Sequence, residues 1–128
     1  MLLHYLAVGI GGAVGAMFRV FLINFIPITF LGLPLPIIVI NFIGCFVMGI
    51  LTELMAFVGS VSELMRYFCL SGLLGGFTTF SAFALDFGGL IEGGQLGTAL
   101  LYVAATVVLS LAGFMIGIKG TGAILQLL

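Results

Sequence analysis

The stretch GGFTTFSAF, Gly75–Phe83, decides how the whole chain is read. It lies midway along an apolar run, yet it holds two adjacent glycines, three hydroxyl residues and phenylalanines spaced by three. Gly75 and Gly76 remove side chains, while Thr78, Thr79 and Ser81 can bond backbone groups locally, so the regular helical ladder has competitors here. The stretch predicts a break in a helix, made by Gly75 to Thr78. Non-helical backbone at membrane depth is tolerated only when it is buried in protein or lines a cavity. Carbonyls freed at the break must therefore meet something, and a dehydrated cation is one candidate. If two copies meet at that point, their carbonyls converge on the dimer axis.

Membrane depth follows from composition. The chain has 128 residues, 63% of them hydrophobic and only 5% charged, with a mean hydropathy of +1.49, whereas soluble domains carry about 25% charged residues. Three Lys/Arg and four Asp/Glu cannot build the polar shell a soluble core needs. The N-terminal apolar segment lacks a basic n-region and outruns an h-region, so it is expected to stay in the mature protein. A net charge of −1 offers no basic tract, so nucleic acid is not an expected partner, whereas membrane lipid is. Cys45 and Cys69 lie apart in apolar runs and read as small buried hydrophobes.

A spanning helix needs about 20 apolar residues, and the chain divides into four such pieces: about 2–26, 36–58, 64–85 and 98–118. PITFLGLPLP connects the first two, and the acidic, glycine-rich DFGGLIEGGQLG follows the third. The expected fold is thus a single all-α, four-helix transmembrane domain, with both termini on one side. Barrel strands would alternate polar and apolar residues over about ten positions, and these runs do not. Arg66 and Lys119 fall on the side of the termini and Arg19 toward the other, so the orientation bias is close to absent. Such a chain can insert both ways, which permits an antiparallel homodimer. Four helices are also too few to enclose an aqueous path and shield it from lipid. Glycines four residues apart, Gly11 with Gly15, Gly72 with Gly76 and Gly113 with Gly117, allow close backbone approach between helices.

Intramembrane polar residues are functional candidates by default. Arg19 can either snorkel to the interface or line an electropositive vestibule. His4 belongs to the headgroup region. Asn41, in the first turns of the second helix, can donate to a desolvated anion or hold two helices together. Tyr102 and Ser110 lie within about 80° of one face of the fourth helix, with Thr106 between them, and offer a stripe of hydroxyls. Glu53, Glu63, Asp86 and Glu92 fall near expected helix ends or in loops, as solvated charges. Phe80 and Phe83 share a face if the helix resumes after the break. Their ring edges can hold an anion weakly enough to release it, which suits conduction.

GGAVGAMFR in the first helix, NFIGCFVMG in the second and GGFTTFSAF in the third, in that order along a chain of this length, resemble the Fluc family of microbial fluoride channels, also called CrcB proteins. The resemblance covers the whole chain, and the third motif is the specific one. It implies an antiparallel, dual-topology homodimer with two fluoride pathways in a bacterial inner membrane. It also implies a structural Na⁺ at the dimer interface, held by the backbone carbonyls of Gly75 and Thr78. Phe80 and Phe83 then stand for the pore aromatics, Asn41 for the pore amide and Arg19 for the vestibule arginine. Ser81, Ser110 and Tyr102 supply hydroxyls along the anion path. Ala82 departs from the Ser or Thr common at that position, which thins the polar track.

The expected activity is passive, fluoride-selective conduction that lowers cytoplasmic fluoride, with no reaction catalysed. A small multidrug transporter is also a four-helix antiparallel dimer, but it needs a carboxylate in the first helix. Here no acidic residue precedes Glu53 and there is no Trp. A non-conducting assembly subunit would explain the glycines and leave Asn41 and the hydroxyls without purpose.

Overall fold

The computed structural model describes residues 1–128 as four apolar spans: Leu2–Ile23, Leu35–Val58, Glu63–Glu92 and Leu96–Leu125. The first is helix α1 and the second is α2. Between them, β1 (Thr29–Phe30) and β2 (Leu33–Pro34) form a short antiparallel ribbon, with Thr29 opposite Pro34 and Phe30 opposite Leu33. Leu31 and Gly32 turn it at φ 53° and 83°, the pair of positive values that a tight hairpin requires. The proline-marked connection is thus an ordered ribbon. Pro36 then sits in the first turn of α2, where a missing N–H leaves no bond unmade.

The third span is not one regular helix. α3 (Glu63–Arg66) is capped by Ser62, whose Oγ accepts from the Met65 N–H at 3.3 Å. It widens into a π-helical stretch over Tyr67–Leu74, tightens into α4 (Gly75–Phe77), breaks, and resumes as α5 (Phe80–Glu92). The break is at Thr78 (φ −76°, ψ 159°) and Thr79 (φ −153°, ψ 123°), both extended. Gly75 and Gly76, expected to open it, stay helical. They are small for a tertiary reason: a Cβ on Gly76 would strike the backbone of Gly12 in α1.

The acidic segment after the third span also departs from the expected loop. α5 continues past Leu85 because Leu90 joins a buried cluster with Ile37, Ile38, Phe83, Ala99 and Tyr102. It stops at Gly93, before Gly94 with φ 72°. Asp86 therefore stands within a helix, half-buried. α6 (Leu96–Leu125) likewise outruns the expected 98–118 at both ends.

α2 lies along α6, and α1 lies along the first half of the third span. Both crossings are glycine contacts: Gly49 and Gly117 face each other across the first, and Gly11, Gly15 and Gly72 line the second. With no side chains between them, the backbones meet directly, which in lipid supplies dispersion contact that the hydrophobic effect does not.

Candidate functional site

At the break, two peptide units lose their helical partners, and Asn41 of α2 reaches across to meet one of them. Its Nδ2 donates to the Thr79 carbonyl at 3.0 Å, and its Oδ1 accepts from the Thr79 N–H at 2.9 Å. Asn41 and Thr79 are each 9% exposed, so an unpaired group at either would be costly. One amide N–H of Asn41 remains uncommitted by this pair. Space for the contact comes from Gly44, one turn along α2, where a Cβ would strike the Thr78 methyl.

The Thr79 hydroxyl caps α5 by accepting from the Ala82 N–H at 3.1 Å, and it lies 3.2 Å from Ser81 Oγ. Thr78 turns inward on its own helix, with its N–H and hydroxyl both donating to the Leu74 carbonyl, at 3.0 and 2.9 Å. In a regular helix, Thr79 N–H would serve the Gly75 carbonyl and Ala82 N–H the Thr78 carbonyl. Both donors are diverted. Gly75 and Thr78, whose carbonyls are expected to meet a cation, are among the four residues, Gly75 to Thr78, whose carbonyls lose their ladder donors at the break.

Beside the break is a crevice of about 400 Å³. α2 contributes Asn41 and Cys45, α5 contributes Phe80 and Phe83, and α6 contributes Thr106 and Ser110. Each helical pair is three or four residues apart, so each presents one face. Thr106 Oγ1 and Ser110 Oγ are buried without a strong hydrogen-bond partner in the protein, the Cys45 thiol beside Ser110 being a weak one. Such hydroxyls are uncommon in folded proteins and call for an explanation. No ionised side chain lines the crevice. Phe80 and Phe83 rings are 5.1 Å apart, but Phe83 is 7% exposed and Phe80 78%. Along Phe80, Val107 and Leu111 the crevice has no protein wall within one copy.

Other expected site residues fall elsewhere. Arg19 and Ser81 line a second crevice of about 560 Å³, together with Ile37, Ala82 and Thr79. Thr79 lines both spaces. Tyr102 is fully buried and lines neither; it stacks behind Phe83 at 5.3 Å and donates its hydroxyl to Asp86 Oδ2 at 2.8 Å. Asp86, read from sequence as a solvated charge, is that partner. From sequence, Thr79 is read only as a local backbone bonder, and Thr106 only as a member of the hydroxyl stripe between Tyr102 and Ser110. Thr106 carried a usable signal, since it lies one turn before Ser110 on the same face.

These four spans and the donor-lined crevice beside a broken helix define a small multi-pass membrane protein. Residues 6–118 match the family described as "CrcB-like protein, Camphor Resistance (CrcB)". The chain belongs to the CrcB family, and its apolar spans place it among multi-pass bacterial membrane proteins. It is 46% identical over 116 residues to the "Fluoride-specific ion channel FluC" of Rhodopseudomonas palustris (strain BisB5), covering 89% of this chain and 93% of that one. It is 44% identical over 121 residues to the protein of the same name from Cereibacter sphaeroides (strain ATCC 17029), covering 91% and 93%. "Fluoride-specific ion channel FluC 2" of Nitrobacter hamburgensis is 41% identical over 118 residues, covering 91% and 94%.

Proposed function

We propose that this chain conducts fluoride passively and selectively across the bacterial inner membrane, lowering cytoplasmic fluoride. The observation that carries this reading is the pair of buried hydroxyls without a strong partner, Thr106 and Ser110, in an uncharged crevice also lined by Phe80 and Phe83. Fluoride is small, strongly hydrated and a good hydrogen-bond acceptor. It leaves water only where donors replace that water, and it moves on only where no fixed charge traps it. The hydroxyls and the uncommitted Asn41 N–H supply donors, and the phenylalanine edges supply weak positive potential. Arg19, with Ser81 in the second crevice, draws anions toward Thr79. Tyr102 acts by backing Phe83 and not through a free hydroxyl.

The conducting unit in this reading is an antiparallel homodimer. Support comes from the open side of the crevice, where Phe80, Val107 and Leu111 are exposed, and from the nearly neutral loops. Gly75, exposed beside the break, puts its carbonyl within reach of a second copy. A structural Na⁺ fits the donor set: Gly75 and Thr78 offer carbonyl oxygens whose helical donors are engaged elsewhere, and hard cations prefer oxygen ligands. When bound, the ion supplies a fixed positive charge at membrane depth.

Reconstituted liposomes loaded with fluoride or chloride test the activity directly. Rapid fluoride efflux with negligible chloride efflux is expected, and comparable chloride flux would overturn selectivity.

A further inference from the structure

The cation reading leaves open what keeps the Gly75 and Thr78 carbonyls from rejoining the helix. We infer that Thr79, through its hydroxyl, and Asn41, through its amide, set the cation affinity of the broken span by holding the two backbone donors that would otherwise close on those carbonyls. This rests on the cation reading above and deepens it, since neither side chain is itself a ligand. They are positioning residues.

Thr79 N–H is held by Asn41 Oδ1 at 2.9 Å, and that capture is locked by the return bond from Asn41 Nδ2 to the Thr79 carbonyl at 3.0 Å. Ala82 N–H is held by the Thr79 hydroxyl at 3.1 Å. Removing either acceptor leaves a donor orphaned four residues along the chain from the carbonyl it would serve in a regular helix. In hydrocarbon an orphaned N–H costs several kcal/mol, so it competes for that carbonyl. A carbonyl so engaged is a poorer cation ligand.

Thr79 offers the cleaner experiment, because valine matches its shape and keeps the backbone bonds to Asn41. Na⁺ is titrated against N-methyl-D-glucamine at constant ionic strength with purified wild type, Thr79→Val and Thr79→Ser. Thermal unfolding in detergent reads Na⁺ binding by mass action, independently of conduction, and liposome fluoride efflux is recorded in parallel. Thr79→Val should need about fivefold or more Na⁺ for half-maximal stabilisation, the size of one backbone hydrogen bond competing for the same oxygen. Thr79→Ser, which keeps the acceptor, should stay within about twofold of wild type. If valine does not fold, Thr79→Ala reads the same midpoint. A Na⁺-stabilised wild type whose midpoint is unmoved by Thr79→Val and Thr79→Ala overturns the inference while leaving the cation reading intact. A wild type indifferent to Na⁺ removes both.

Discussion

Tyr102 donates its phenolic hydrogen to Asp86 across 2.8 Å from a fully buried position, and its ring lies against Phe83. One side chain thus anchors a carboxylate and a crevice-lining aromatic at once. The two duties separate on substitution. Tyr102→Phe keeps the ring and deletes the bond to a charged acceptor, so thermal stability should fall by about 1–2 kcal/mol while fluoride efflux stays within about twofold. Tyr102→Ala removes the backing of Phe83 and opens a cavity, so stability should fall by about 3–5 kcal/mol and efflux should collapse. Equal efflux from the two variants would show that the ring does not position Phe83.

Phe80 and Phe83 should respond unequally to isoleucine, although the sequence pairs them. Phe83 is buried against Tyr102, so Phe83→Ile should cost about 1–2 kcal/mol of stability. Phe80 is 78% exposed within one copy, so Phe80→Ile should cost that copy's own fold no more than about 0.5 kcal/mol, and a larger loss in detergent would report its contact with a second copy. Both should lower fluoride efflux in liposomes. Undiminished efflux from the folded double variant would remove the aromatic pair from the ion path.

The spans and the presence of a break were legible because each is local: apolar runs set the first, and clustered hydroxyls with adjacent glycines set the second. Its exact place was not. Gly75 and Gly76 look alike whether they loosen a helix or let another backbone approach, and only the contact between Gly76 and Gly12 decides for the latter. Asn41 was recognised as either an anion donor or interhelical glue. The choice depends on Thr79, 38 residues away, and no local pattern holds that pairing. Asp86 was misplaced for a similar reason, since GGLIEGG reads as a loop until the burial of Leu90 extends the helix through it. Ser110 and Thr106 were reachable from helical spacing, but their lack of strong partners is a tertiary fact.

Glycine positions give a stability test with an internal control. Gly76→Ala places its methyl against Gly12, 2.8 Å from that Cα, where backbone cannot yield as a side chain would. It should cost about 1–3 kcal/mol and broaden the size-exclusion peak in detergent. Gly88→Ala, on α5 with nothing within 4 Å of the added carbon, should be neutral or stabilise by up to about 1 kcal/mol through helix propensity. A tolerated Gly76→Ala would mean that α1 and the third span do not meet as closely as described.

Thr106 and Ser110 separate structure from function most sharply. A buried hydroxyl with no strong partner in the protein leaves no strong donor or acceptor orphaned when it is removed. Thr106→Val and Ser110→Ala should therefore leave the unfolding free energy, read from thermal unfolding, unchanged or raise it by up to about 1 kcal/mol. If those hydroxyls replace water around a dehydrated anion, the same changes should slow fluoride efflux about tenfold or more, since each deletes a donor from an uncharged path. Stability and activity then move in opposite directions, which a purely structural role does not produce. Loss of stability together with efflux would instead place the two hydroxyls in the framework of the bundle, and unchanged efflux would take them out of the path.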